Sequence, residues 1–198
     1  MSNIIKTPTG RTLFSNLTKP TVFSPDGKLQ PTEDNPGHFE TLLVLDRTKP
    51  EVVAFLEQLS EMAEEAAQSQ GTGQRRDPLY SLTDDVDENK QPTGAVRLKL
   101  RVSAGGRTKK GQVFSREVVF VDHNGKPFTP EAEFANGSQI RCSLELRAYK
   151  TAGFIGVSLR LRAVQVIAAE YYRPATSAVD DFANDVVDPE SFDTGADF

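Results

Sequence analysis

Strict alternation of apolar and polar residues in the second half of the chain constrains its fold more than any other feature. Three segments show the pattern: 94–103 (GAVRLKLRVS), 139–149 (QIRCSLELRAY) and 153–168 (GFIGVSLRLRAVQVIA). A period of two residues is typical of strands that bury one face and expose the other. In the third segment the apolar parity shifts near Arg162–Ala163, which predicts a β-bulge. The chain is therefore predicted to be mainly β.

The first half adds fewer strands and one helix. Segment 38–46 (HFETLLVLD) is predicted to be a strand, with shorter candidates at 12–17 and 21–23. After it, Pro50 lies in the first turn of an apolar pattern with helical spacing, and Thr48 with Glu51 matches a capping box. An amphipathic helix over about 49–69 follows. The polar segment 70–94 is predicted to be a flexible connection.

About five antiparallel strands and one helix within fewer than 180 residues favour a small closed barrel. The leading prediction is a five-stranded antiparallel barrel of the oligonucleotide-binding (OB) fold. A β-sandwich remains the alternative, because strand number alone does not separate the two. The predicted domain covers 1–173, and the predicted disordered acidic tail covers 174–198.

Charge is distributed unevenly along the chain. Residues 95–173 hold 14 basic and six acidic residues, whereas 174–198 hold seven acidic residues and no Lys or Arg. Residues 1–94 hold nine basic and 15 acidic residues. Such asymmetry is typical of proteins that contact nucleic acid and carry an acidic tail.

Residues suited to catalysis or metal binding are few. The chain has two histidines, far apart in sequence, and one cysteine, Cys142, on the apolar face of a predicted strand. Asp85, Asp87 and Asn89 share the spacing of a calcium loop, but the position that requires glycine holds Lys90. We therefore expect no enzyme activity, no cofactor and no metal. Lacking a long apolar run, the chain is expected to be a soluble cytoplasmic protein.

The strongest positive signal is a set of cations beside aromatic residues. Single-strand binders neutralise phosphates with cations and stack bases on exposed rings, and this set offers both. The predicted nucleic-acid-binding residues are Arg97, Lys99, Arg101, Arg107, Lys109, Lys110, Arg147, Tyr149, Lys150, Phe154, Arg160 and Arg162.

Several stretches together resemble the single-stranded DNA-binding proteins of short-tailed bacteriophages of the coliphage T-seven type. They are the strand and loop from 98 to 112, VVFVDHNGKPF (118–128), the segment from 144 to 172, and an acidic tail ending in Asp-Phe. The resemblance implies an OB fold, single-strand binding without marked sequence preference, and roles in DNA replication, recombination and repair.

The resemblance also implies roles for individual residues. The aromatic and basic pair before the last strand corresponds to Tyr149 and Lys150, and the basic strand and loop to Lys99, Arg101, Lys109 and Lys110. The tail, with Asp193, Asp197 and Phe198, would recruit the replicative DNA polymerase and helicase-primase. It would also compete for the DNA groove, in a homodimer on the neighbouring subunit.

Two other functions stay open on the sequence alone. One is an RNA-binding regulator on the same fold, and the other is a scaffold protein without nucleic-acid affinity. Salt-sensitive binding to single-stranded DNA separates the first prediction from the scaffold, and matched RNA separates it from the regulator.

Overall fold

Strands and one helix are the regular elements in the part of the chain that the structure describes. The computed structural model describes residues 3–24, 27–29, 31–32, 35–108 and 110–171. The strands are β1 Ile4–Lys6, β2 Gly10–Ser24, β3 Gly27–Leu29, β4 His38–Asp46, β5 Gln74–Arg75, β6 Leu82–Val86, β7 Pro92–Ser103, β8 Gly105–Arg107, β9 Val113–Ser115, β10 Val119–Val121, β11 Gln139–Thr151 and β12 Phe154–Ala168. The helix α1 spans Pro50–Gln68.

Five of these strands close into a ring. β2 pairs with β4, β4 with β7, β7 with β12, β12 with β11, and β11 returns to β2. The last pairing joins Gln139 to Arg11 and Ile140 to Gly10. Because the sheet returns to its first strand, the fold is the predicted five-stranded OB barrel and not a sandwich.

Within the ring, one strand pair departs from the predicted antiparallel arrangement. β7 and β12 are parallel, with Arg101 opposite Arg160, while the other four ring pairs are antiparallel. An odd number of strands cannot alternate in direction all the way around a ring, so one neighbouring pair has to be parallel. In this barrel that pair is the joint between β7 and β12.

The alternating apolar residues fill the barrel, as predicted. On β7, every second side chain from Val96 to Val102 is buried, and Cys142 is buried on β11. Burial raises the pKa of the Cys142 thiol far above its ordinary value. The predicted bulge is also present: Leu144 pairs with Leu161 and Ser143 with Ala163, which leaves Arg162 between them without a register partner.

The helix is where the spacing predicted it, but its start differs in detail. Val52, Phe55 and Leu59 are buried, and α1 packs against β11 and β12. No capping box forms: Lys49 is the N-cap residue and makes no side-chain cap. Thr48 instead donates main-chain and hydroxyl hydrogen bonds to Asp46, and these bonds lower the pKa of that carboxyl. No helix in the described residues is long and apolar enough to cross a membrane.

The prediction of a flexible connection over 70–94 is wrong. This segment forms β5, which pairs with β12, and β6, which pairs with β7. Asp85 on β6 is buried and accepts hydrogen bonds from Thr93 (2.7 Å) and Arg97 (2.5 Å). Arg11 approaches the same carboxylate at 3.3 Å. The acidic stretch is held in place because one of its carboxylates is anchored by two guanidinium groups.

Segment 113–122 (VFSREVVFVD) reads as one strand from its β-branched and aromatic residues, but it is divided in two. Residues 116–118 separate β9, which pairs with β8, from β10, which pairs with β12. The break turns Val118 into the barrel core, while the main chain of Arg116 donates to Ala104. This division places Arg116 beside the joint between β7 and β12, where the candidate site lies.

Candidate nucleic-acid interface

An open cleft of about 1010 Å³ lies over the joint between β7 and β12. One wall is residues 72–82, called the strap below, which fills the gap where the two strands diverge. The Leu79 carbonyl accepts from Val157 on β12 (2.7 Å), and the Ser81 carbonyl accepts from Lys99 on β7 (3.2 Å). Near the tip of the β11–β12 hairpin, Arg76 donates its main-chain N–H to Ile155 (2.9 Å).

Four charged residues form a row across the outer surface of the barrel beside the cleft. The strand register places Glu40 opposite Arg101, Arg101 opposite Arg160, and Arg160 opposite Glu145. Like charges that face each other directly across a sheet are destabilising. The two central arginines therefore form a position that favours an anion.

The two outer carboxylates of the row each hold a pair of cations. Glu40 lies 3.1 Å from the Lys99 ammonium and 3.6 Å from the Arg101 guanidinium. On the other side, Glu145 lies 2.9 Å from Arg147 and 3.7 Å from Arg160. The hydrogen bond from Arg147 is the main cause that lowers the pKa of Glu145. A phosphate that binds here would compete with these carboxylates for the same cations.

Arg160 lies among several other arginines. Desolvation lowers its pKa, and the charges of Arg116 and Arg147 lower it further, with Arg162 adding to the effect. Only Glu145 opposes this shift. Despite this shift the Arg160 guanidinium stays protonated. An anion in addition to Glu145 would therefore stabilise its charge.

Aromatic side chains stand at the hairpin end of the cleft. Tyr149 pairs with Gly156 across the hairpin, and a Cβ atom added to Gly156 would lie 2.6 Å from the Tyr149 hydroxyl oxygen. The absence of a side chain at Gly156 thus allows the Tyr149 ring to lie against the neighbouring strand. The Arg76 guanidinium is 5.7 Å from the centre of this ring. Phe154, 40% exposed, also lines the cleft.

The other end of the cleft is formed by His38 and Arg116. Desolvation lowers the pKa of His38 from its ordinary 6.5, and the nearby Arg101 charge lowers it further. The Arg116 guanidinium lies 4.5 Å from the centre of the Phe114 ring. This end therefore combines a fixed cation with a ring that is neutral at pH 7.

The structure gathers some of the predicted site residues in the cleft and leaves others outside it. The predicted residues that line the cleft are Lys99, Arg101, Tyr149, Phe154 and Arg160. Those that do not line it are Arg97, Arg107, Lys110, Arg147, Lys150 and Arg162. Of the latter, Arg147 reaches the row through Glu145, and Lys150 donates to the Thr72 carbonyl of the strap (2.5 Å).

Arg97 has a structural role in the folded chain. It lies on β7 two residues before Lys99, but β6 covers it, and its guanidinium binds Asp85 and the Val86 carbonyl. Sequence alternation could not separate it from Lys99, because both point to the same side of the strand. Arg107 and Lys110 belong to the β8–β9 hairpin region. Lys109 and the tail residues Asp193, Asp197 and Phe198 lie outside the described residues.

Sequence reasoning missed the residues that the strap and two short segments bring to the cleft. They are His38, Arg75, Arg76, Tyr80 and Arg116. Arg75 and Arg76 form a basic dipeptide in the sequence, but the polar composition around them predicts a flexible connection. These two arginines reach the cleft because β5 pairs with β12, and a strand of two residues is too short to show a periodic pattern in the sequence.

Solved structures of phage single-stranded DNA-binding proteins share this architecture. The crystal structure of gp2.5, a single-stranded DNA-binding protein encoded by bacteriophage T7, matches with a TM-score of 0.60 and 19% identity, over 96% of this chain and 97% of that one. The single-stranded DNA-binding protein from bacteriophage Enc34 matches at 0.60 and 13% identity, over 90% and 89%. Its complex with single-stranded DNA matches at 0.61 and 15% identity, over 88% and 90%.

The chain has the fold of these phage single-stranded DNA-binding proteins. The resemblance noted in the sequence is thereby confirmed for the fold. No protein-family model matches the sequence, and the comparison with curated proteins found no relative. At identities this low, function has to be argued from the residues of the cleft itself.

Proposed function

We propose that this protein binds single-stranded DNA without sequence preference, along the cleft between the strap and the β7–β12 joint. The observation that carries the proposal is the facing pair Arg101 and Arg160 with stacking rings close by. Phosphates bind the guanidinium groups and displace Glu40 and Glu145, while bases stack near Tyr149 and Phe154. The activity is binding, with no reaction catalysed.

The fold neighbours support the same conclusion. One is named for single-stranded DNA binding in phage T7, and another was solved with single-stranded DNA. Rings can stack on bases only where the bases are unpaired, so a single strand suits this cleft better than a duplex. By this proposal the protein acts in the cytoplasm of an infected cell during DNA replication, recombination and repair.

We propose further that residues 1–173 are the binding unit and that the acidic segment 174–198 has two roles. Its seven carboxylates compete with DNA for the cleft cations, and Asp193, Asp197 and Phe198 contact the replicative polymerase and helicase-primase. An aromatic ring beside carboxylates combines an apolar anchor with electrostatic attraction for a basic partner surface. A homodimer would let the segment reach the cleft of a neighbour.

The test is a titration of one oligonucleotide as single strand, as duplex and as matched RNA, each at several salt concentrations. We expect the DNA single strand to bind best, with log affinity falling against log salt at a slope of about −3 if about four phosphates are neutralised at ~0.7 each. The Arg101→Gln/Arg160→Gln variant should flatten this slope, whereas Lys90→Gln, on an exposed turn, should not.

Each competing function predicts a different result. If affinity does not depend on salt, or if the Arg101→Gln/Arg160→Gln variant binds as well as wild type, the cleft is not the binding site. Preference for the RNA strand would instead favour the RNA-binding regulator, since only RNA carries the 2′-hydroxyl. Absence of binding to all three nucleic acids would favour the scaffold protein.

A further inference from the structure

The basic surface does not stop at Arg160 but continues along the outer face of the β11–β12 hairpin. Arg147 lies on the hairpin-tip side of Arg160 and Arg162 on the side of the hairpin base, and both are exposed on this face. The bulge leaves Arg162 without a register partner, and bulges commonly redirect the side chain they carry. The cations therefore form a track that leads away from the cleft.

At the far end of this track lies a separate pocket of about 290 Å³. Lys6 on β1 is paired with Ser143 on β11, and Ser143 with Ala163 on β12. Ser143 and Ala163 are small and leave space between the longer side chains of Lys6 and Arg141, which also line the pocket. The geometry is that of a shallow depression with two cations in its lining.

The two cations of this pocket differ from those of the cleft in their partners. Within the ranges described above, neither Lys6 nor Arg141 lies within salt-bridge distance of a carboxylate, whereas Lys99, Arg101, Arg147 and Arg160 all do. The Arg141 Nε donates to the Thr7 carbonyl at 3.2 Å, which holds the side chain in place.

The carboxylate of the nearest turn, Asp122, accepts hydrogen bonds from its own turn and forms no ion pair with Lys6 or Arg141. In that turn, which includes Gly125 of the pocket lining, Asp122 accepts main-chain hydrogen bonds from Asn124 and Lys126, both at 2.8 Å. The pocket thus presents a fixed guanidinium, an ammonium and the Ser143 hydroxyl without an internal anion. These are the donors that a phosphate group uses.

We propose that the bound strand continues from the cleft along the β11–β12 hairpin and that one of its backbone phosphates docks between Lys6 and Arg141. This inference rests on the proposed function and extends its site. Tyr149 and Arg141 are eight positions apart on β11, which corresponds to about 26 Å at ~3.3 Å per residue. A short strand would fill the cleft alone, and a longer one would also reach the pocket.

The experiment compares wild type with Lys6→Gln/Arg141→Gln on oligothymidylates of about 5 and about 20 nucleotides, which bracket the ~4–16 nucleotides covered by one OB fold. On the longer strand, two lost contacts at ~0.7 each should flatten the salt slope by about 1.4 and weaken binding near 0.1 M salt on the order of tenfold. Affinity for the shorter strand should stay unchanged, which also shows that the variant is folded.

The matched control is Lys19→Gln/Lys90→Gln, which removes the same charge from exposed positions elsewhere. Lys6→Gln alone leaves the Arg141 bond to Thr7 intact and should give about half the change in slope. The pocket is not a phosphate site if the double variant loses the same affinity for both oligonucleotides, or if the control variant loses as much affinity as the double variant. Unchanged affinity for the longer oligonucleotide would also overturn it. Failure of wild type to bind either strand would instead refute the proposed function.

Discussion

At the scale of single residues, the proposed stacking platform depends on a glycine as much as on an aromatic ring. Tyr149 occupies space that a Cβ atom at Gly156 would fill, and Arg76 approaches the ring from the strap. A base that stacks on Tyr149 would displace the guanidinium or share the ring with it. Arg76 therefore belongs to the proposed binding site, since guanidinium planes also stack on bases.

Substitution of Tyr149 tests this platform. We expect Tyr149→Ala to weaken single-strand binding by about 1–3 kcal/mol, the usual contribution of one stacked base, and Tyr149→Phe to retain most of the affinity. Oligonucleotide titrations and thermal melts should be measured on all three proteins. A large fall in melting temperature, with unchanged affinity per folded molecule, would identify Tyr149 as a packing residue only.

His38 gives the cleft a dependence on pH. Its pKa lies below 6.5 in the unbound protein, so the ring is neutral at pH 7. Phosphates nearby favour the protonated ring, so the pKa of His38 should be higher in the complex, and binding should take up a proton and tighten as pH falls through that higher pKa. His38→Gln should reduce this gain, whereas the exposed His123 remains in both proteins as an internal control. Parallel pH profiles of wild type and variant would contradict the role.

At the scale of elements, the strap and β6 determine the shape of the site, and Asp85 holds β6 in place. Burial opposes ionisation of this carboxyl, but hydrogen bonds from Thr93 and Arg97 and the charges of Arg97 and Arg11 outweigh it and lower its pKa. A carboxylate with a lowered pKa stabilises the fold above its ordinary pKa of 3.8. The stabilisation is lost as pH falls through the lower value of the folded state.

Replacement of Asp85 should therefore destabilise the protein at neutral pH. We expect Asp85→Asn to lower the free energy of unfolding by about 2–3 kcal/mol, less than for a fully buried pair, because Arg97 is still a quarter exposed. Denaturant unfolding at pH 7 and at pH 3 provides the measurement, and the difference from wild type should shrink in acid. Asp84→Asn, at an exposed neighbour, is the control and should change little.

These elements also show how far the sequence could lead. The strands β4, β7, β11 and β12, the helix and the bulge could be predicted because their apolar residues recur with a clear period. β6 could not, because its buried position holds Asp85 where a hydropathy pattern expects an apolar residue. β5 has two residues, which is too short for any periodicity, and its place depends on distant β12.

At the scale of the whole molecule, the site results from barrel closure. Arg101 and Arg160 are 59 positions apart in the sequence and meet because a five-strand ring needs one parallel joint. Alternation predicted that both face outward but not that they face each other, nor that Glu40 and Glu145 flank them. Some of the predicted cations therefore line the cleft, and others, such as Arg97, have structural roles elsewhere.

The acidic segment 174–198 adds a prediction at this scale. If its carboxylates compete for the cleft, its removal should tighten single-strand binding at low salt, and the difference should fade as salt screens both partners. A chain of the same length with the seven acidic residues changed to their amides is the control and should match the truncated protein. Equal affinities of all three proteins at low salt would show that the segment does not compete.

The row from Glu40 to Glu145 also bears on how long a strand stays bound. When a phosphate leaves Arg101 or Arg160, the guanidinium does not lose its only anionic partner, because a carboxylate lies within about 4 Å and can replace the phosphate. Departure is then an exchange of one anion for another, and such an exchange has a lower barrier than the loss of a buried charge's only partner. If the protein binds single strands as proposed, the same two carboxylates should both lower the affinity and shorten the lifetime of the complex.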